Sequence, residues 1–381
     1  MRTWLLAAGC LWMGAVAHAA ETVVYRGQLD QAGEVVLELQ RTAGEDYHGR
    51  YFYLRHGVDI PLSGKLSAFK EGDGNTANAP EWRGRLAGER FSGQWVDARR
   101  HRSLSFDLQR VAAYDDAANA PSPMPFGMAV SSYGDQALSP YEQLKMQLPM
   151  KQGPEVVVGD VAYREVTDPR SGIAYPRLSR HPDARLMAQI NRLFTQRHAA
   201  LIENTLDCRA QSWGDAPDQS KGDAEERVRV SYFSPTLISV VESGDAYCGG
   251  AHPDSHWDPY TLDLRHGGYL DFDRLFDFTA SAADGGPSQA LRAFIQVHLN
   301  DPALRVKNPN VDNPDDCIGS DSNWPIMYFV AYFDTPDRLV LGLSGLPHAS
   351  MACAGDVLRI PFDRLKPLEL PGAAVYLAPG A

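Results

Sequence analysis

Two histidines four residues apart, His252 and His256, stand with Asp254, Asp258 and His266 in one short stretch. On a helix, H-x-x-x-H sets two imidazoles on one face, the arrangement zinc uses. Here Pro253 interrupts the spacing and Gly249-Gly250 precedes it. The stretch is therefore expected to be a loop between strands. Gly249 and Gly250 would supply the tight backbone, and His252 would hydrogen-bond the loop. The functional version is a metal or ligand site built from His252, His256 and Asp258. The expected contact region runs from Tyr247 to Trp257, with Tyr247, Gly249, Gly250, His252, His256 and Trp257 as its binding residues. No catalytic residue, metal ligand or cofactor is assigned.

Other chemistry-bearing groups read as structural. Asp312, Asp315, Asp316 and Asp321 surround Cys317 with oxygen ligands of the kind calcium takes, but the spacing is not that of an EF-hand. A solvated acidic loop is expected. Gly342-Leu343-Ser344-Gly345 follows a strand without a following helix, so it reads as a turn and not as a nucleophile elbow. Tyr51, Phe52, Tyr53, Trp82 and Trp95 could stack on sugars, yet they are also what a small β core is made of, and core is the expectation.

Cysteine points to compartment. Of five, Cys10 lies in an N-terminal apolar stretch, leaving Cys208, Cys248, Cys317 and Cys353. An even set in an exported chain reads as two disulfides. Three pairings are possible. The local one, Cys208–Cys248 with Cys317–Cys353, is the expectation. Zinc is the rival, disfavoured because the thiols form no CxxC pair.

These residues need elements to hold them. Residues 20–112 read as a small all-β meander or barrel. Its strands are Val23–Leu29, Val35–Leu39, Tyr47–Leu54, Asp59–Leu66, Trp82–Trp95 and Leu104–Val111, punctuated by glycine. Residues 113–155 form a proline-rich linker, with a turn or two of helix at Tyr141–Met146. Residues 156–370 read as α+β, with 371–381 as a tail. Pro182–Leu206 and Ser288–Asn300 carry helical periodicity. Val228–Phe233, Leu237–Val241, Tyr260–Leu264, Met327–Phe333, Leu339–Leu343 and Val357–Phe362 read as strands. Without βαβ alternation, the expectation is an antiparallel sheet with two helices on one face.

Several stretches of this second part occur in a recognisable order. Tyr175-Pro176-Arg177-Leu178 precedes the helix with Ile190-Asn191. Next come Leu237–Val241 and Tyr247-Cys248-Gly249-Gly250-Ala251-His252-Pro253. Tyr260–Leu264 then leads through Gly267-Gly268 to Leu270, Leu275 and Phe276, and Leu358–Phe362 closes the series. Over about residues 156–370 the chain resembles the extracytoplasmic PdaC/RsiV-like domain family, found in lysozyme-sensing anti-sigma factors and beside a peptidoglycan deacetylase domain. The four cysteines and the N-terminal β domain depart from that pattern, and no deacetylase domain follows. The resemblance implies a non-enzymatic, exported binding protein of the cell envelope. Its partner would be lysozyme or another cell-wall component. The alternative is a metal-dependent cell-wall or polysaccharide-modifying enzyme.

Composition agrees with export. Arg2, the apolar run Trp4–Val16 and Ala17-His18-Ala19 have the order of a signal peptide, residues 1–19, cut before Ala20. Leu6–Cys10 also resembles a lipobox. The apolar run is shorter than the roughly 20 residues that span a bilayer. A periplasmic or secreted protein without a stable membrane span is expected. The net charge of −12 across 381 residues argues against nucleic acid as a partner and would favour a cationic one.

Overall fold

Alternation of apolar and polar residues, broken by glycine every few positions, drives residues 22–114 into eight antiparallel strands. They are β1 (Thr22–Leu29), β2 (Gly33–Arg41), β3 (Asp46–Tyr53), β4 (Ile60–Lys65), β5 (Ala68–Glu71), β6 (Glu81–Ala87), β7 (Arg90–Asp97) and β8 (Arg102–Tyr114). In the computed structural model, which describes residues 22–42, 46–65, 67–72, 78–115, 137–211, 223–248, 252–279, 287–308, 317 and 328–377, they close into a barrel. β8 pairs back onto β1, with Thr22 opposite Tyr114, so no edge is left open. The signal-peptide residues 1–19 lie outside the described residues.

Val24, Leu37, Phe69, Trp82, Phe91 and Leu108 are fully buried and fill the barrel. Gly84 opposes Gly93 across β6 and β7. A Cβ at Gly84 would lie 2.6 Å from the Phe91 ring, so the absent side chain makes room for aromatic packing.

The chain divides into two compact units, Met1–Tyr51 with Ile60–Asn119, and Phe52–Asp59 with Ala120–Ala381. The second is α+β. It holds α1 (Pro140–Lys145), β9 (Lys151–Val158), β10 (Val161–Thr167), β11 (Ala174–Arg180) and α2 (Ala184–Gln211). β12 (Asp223–Phe233), β13 (Leu237–Tyr247), β14 (Asp254–Asp263), β15 (Gly268–Tyr269) and α3 (Gln289–His298) follow. The last strands are β16 (Phe329–Thr335), β17 (Arg338–Leu343) and β18 (Gly355–Pro361).

Local chemistry sets the helix ends. Ser139 and Glu142 form a capping box on α1, with Pro140 at the first turn. Asp183 accepts the backbone N–H groups of Arg185 and Leu186 at the start of α2. The proline-rich linker read over 113–155 is thus structured at its C-terminal end, since α1 and most of β9 fall inside it. Residues 116–136 of it lie outside the described residues.

One sheet with two helices on one face is not what forms. The strands make three antiparallel sheets, in the orders β11-β10-β9, β12-β13-β14-β15 and β16-β17-β18. α2 packs Ile190, Phe194, Leu201 and Ile202 against Tyr175, Ile238, Val240, Tyr260 and Leu262. α3 packs Leu291 and Phe294 in another core, with Phe333, Leu341 and Ile360. An amphipathic stripe shows that a helix has a buried side, not which sheet it covers.

Both disulfides follow the local pairing, Cys208–Cys248 and Cys317–Cys353. The first ties the end of β13 to α2. Two such bonds fit an oxidising compartment. No helix among the described residues is long and apolar enough to cross a membrane.

Candidate functional site

The β12-β13-β14 register places an unusual set of side chains on one buried face. Glu226 opposes Gly244, which opposes His256; the next row is Val228, Glu242 and Asp258; then come Val230, Val240 and Tyr260. Strand alternation puts all three rows on the side that meets α2. Three acids therefore face a core.

At the deep end the charge is compensated. Glu242 is 0% exposed and accepts Arg197 Nε at 2.8 Å and Nη2 at 2.6 Å. It also accepts the Tyr175 hydroxyl, which lies 2.6 Å from that of Tyr260. The Arg197 guanidinium lies 4.2 Å from the centroid of the Tyr260 ring. Burial, then the nearby Glu242, holds both tyrosines well above their usual pKa, so they stay protonated donors. His198 stacks on Tyr175 with ring centroids 5.1 Å apart.

Towards the outer end compensation thins. Asp258 accepts the Ser344 hydroxyl at 2.8 Å. Burial, reinforced by Glu242, raises its pKa against the opposing pull of His256. His256 Nε2 lies 3.2 Å from Glu226 Oε2, whose side chain is 4% exposed. Burial works to lower the His256 pKa, but Glu226, Asp258 and Glu242 outweigh it and hold it above the usual 6.5.

Two hollows flank this outer end. The first, about 190 Å³, is lined by Glu225, Arg227, Asp245, His256, Trp257 and Met351 among others. The second, about 210 Å³, is lined by Ser171, Thr205, Arg209, Ala224, Glu226 and Arg227 among others. The Glu226–His256 pair sits between them, one partner lining each.

The expected contact loop is shorter than the sequence implied. β13 continues through Tyr247 and β14 begins at Asp254, so His256 and Trp257 are strand residues on opposite faces. Pairing with Gly244 and Ser243 supplies the backbone bonds that a loop reading missed. Tyr247 is 37% exposed at the strand end. Gly249 and Gly250 lie outside the described residues. His252 approaches His348, with ring centroids 5.5 Å apart. Trp257 lines the first hollow and also packs on Tyr332, 6.0 Å between centroids.

His252, His256 and Asp258 do not converge on a point where an ion could sit. Among the described residues, three such ligands come together only at Asp59, Glu203 and Asp207. There Lys145 Nζ, 2.9 Å from Asp59 and 3.2 Å from Glu203, already supplies the cation. Asp312, Asp315, Asp316 and Asp321 lie outside the described residues. Gly342 and Leu343 end β17, and Ser344, 1% exposed, follows it directly and is spent on Asp258.

Sequence reading did not single out Glu226, Glu242 or Arg197, and it missed Glu71. In the barrel, Glu71 Oε1 accepts the Tyr51 hydroxyl at 2.6 Å and the indole N–H groups of Trp95 and Trp82 at 2.6 and 3.3 Å. One carboxylate thus satisfies three buried aromatics, which makes them core.

No family model and no curated protein matches this chain.

Proposed function

We propose that the protein is an exported, non-enzymatic binding protein of the cell envelope. It engages a cationic, wall-active protein of the lysozyme kind at the first hollow. The observation that carries this reading is the charge on that hollow's rim. Glu225 and Asp245 face outward there, and the one guanidinium, Arg227, is spent on Glu225 at 2.6 Å. Asp245 is exposed and forms no salt bridge among the described residues, so it stands on the rim as an uncompensated acid. The Cys208–Cys248 bond anchors the strand that carries it, which lowers the ordering cost of binding. The overall charge of −12 steers a basic partner in the same sense. The resemblance of residues 156–370 to the PdaC/RsiV-like family supports the choice of partner.

The test is calorimetry of the mature protein with a lysozyme at moderate salt, beside an equally basic protein with no wall-cleaving activity. Binding to lysozyme alone is expected. Asp245→Lys should weaken it about tenfold, chiefly through slower association. No binding to lysozyme, or equal binding to both, would sink the proposal.

A further inference from the structure

The second hollow, which shares Glu225 and Arg227 with the first, has features of a ligand site in its own right. Thr205 lies on α2, 1% exposed, and its Oγ1 has no hydrogen-bond partner. A buried helical threonine ordinarily turns its hydroxyl to the carbonyl one turn back. Thr195 does this on the same helix, bonding the Asn191 carbonyl at 2.7 Å. Thr205 does not, and it lines the hollow instead. Glu226 lines the same hollow from β12; its Oε2 makes no hydrogen bond of good geometry and is ion-paired with His256 Nε2 at 3.2 Å.

A buried hydroxyl left without a partner, as at Thr205, is destabilising. Thr205 Oγ1 and Glu226 Oε2 are both acceptors, and what satisfies both at once is a donor with several N–H groups. The sheet makes room for the carboxylate: a Cβ at Gly244 would lie 2.4 Å from Glu226 Oε2. The hollow of about 210 Å³ has room for a small solute in place of several waters.

Charge narrows the ligand class. Of the four charged groups around the hollow, Glu225 and Arg227 pair with each other at 2.6 Å, which leaves Glu226 and Arg209, one of each sign. Such a lining favours a ligand that is neutral overall with its charges apart. Arg209 is fixed at the wall by donating to the carbonyls of Arg170 and Ser171 at 3.3 and 3.2 Å.

We propose that this hollow binds a free α-amino acid. Its ammonium lies on Glu226 Oε2 and Thr205 Oγ1, and its carboxylate faces Arg209. A bound ammonium beside Glu226 also repels the proton on His256, so occupancy lowers that histidine's pKa.

The experiment is calorimetry of the intact mature protein against glycine and L-alanine. Trimethylglycine, which has no N–H, and acetate are the controls. Both amino acids should bind, and trimethylglycine at least about tenfold more weakly. Thr205→Val and Glu226→Gln should each reduce affinity about tenfold, while Thr205→Ser retains it. Thr205→Val keeps the side-chain volume and so tests the idea even if the Glu226 variant misfolds. NMR titration should show the His256 pKa falling when glycine is bound. No binding of either amino acid, which would leave a water-filled cavity, overturns the proposal. So does equal binding of trimethylglycine, an unaffected Thr205→Val variant, or a His256 pKa that ignores bound glycine. Lysozyme binding at the first hollow is read separately and does not decide the matter.

Discussion

Acid should unfold the second unit through His198. The ring is 0% exposed. Its Nε2 donates to the Ile173 carbonyl at 3.1 Å, and its Nδ1 accepts from Arg177 Nη2 at 3.1 Å. Both nitrogens are thus committed to the neutral form, since a proton on Nδ1 would face a guanidinium. Burial, and after it the Arg177 charge, takes the pKa from 6.5 down to about 3. The unfolded chain binds this proton near pH 6.5, whereas the native state refuses it until about pH 3. The unfolded state therefore holds more protons between those limits, and stability falls as pH drops through the window. At about 1.4 kcal/mol per pH unit the full loss is about 5 kcal/mol, comparable to the whole stability of many domains. Urea unfolding of the wild type and of His198→Gln, between neutral pH and about pH 3.5, isolates the effect. Glutamine can offer a donor and an acceptor but cannot titrate. The variant should be weaker at neutral pH and lose its stability more slowly in acid. His256 does not mask this, because its raised pKa gives stability that is present below pH 6.5 and lost as pH rises through the folded value. Parallel pH profiles for the two proteins, or an NMR titration of His198 near 6.5, would refute the reasoning.

Arg197→Met should leave Glu242 charged and buried with the Tyr175 hydroxyl in place of a cation, at a cost of about 3–5 kcal/mol in urea unfolding. Adding Glu242→Leu should recover much of that loss, and a single variant as stable as the wild type would contradict the assignment. Gly244→Ala would place a Cβ 2.4 Å from Glu226 Oε2 and 2.6 Å from His256 Cε1. It should cost about 1–3 kcal/mol as overpacking and return the His256 pKa towards 6.5, as read by NMR.

The sequence showed some features and concealed others for identifiable reasons. Period-two alternation and glycine placement exposed the β domain, but closure of the barrel depends on β8 reaching β1, which no local pattern records. The disulfides were legible because thiol chemistry allowed few partners and local pairing is short. The polar stripe was hidden. In β13, Val240-Val241-Glu242 reads as a strand reaching solvent, yet Glu242 is buried. Its compensation comes from Arg197, 45 residues away, and Tyr175, 67 away. His256 and Trp257 were read as loop because Pro253 and two glycines punctuate the chain. The strand resumes immediately after the proline, where register with Gly244 and Ser243 takes over.

The way compensation fades along that stripe bears on function. A buried ion pair can often be exchanged for apolar side chains at no loss of stability. The Arg197–Glu242 pair, ringed by Tyr175 and Tyr260, has both carboxylate oxygens hydrogen-bonded, although Arg197 Nη1 is buried without a partner. Glu226, on the same face of the same sheet, keeps an oxygen without a hydrogen bond of good geometry. Stability alone would favour valine there, as at Val228 and Val230 in the next two rows. An acid kept under-satisfied where the stripe meets two hollows is better explained by a ligand's donor than by packing. Linkage then works both ways. If an ammonium at Glu226 disfavours the proton on His256, that proton disfavours the ammonium. Affinity at the second hollow should therefore fall as pH drops through the His256 pKa, a dependence that Gly244→Ala should weaken by separating the pair.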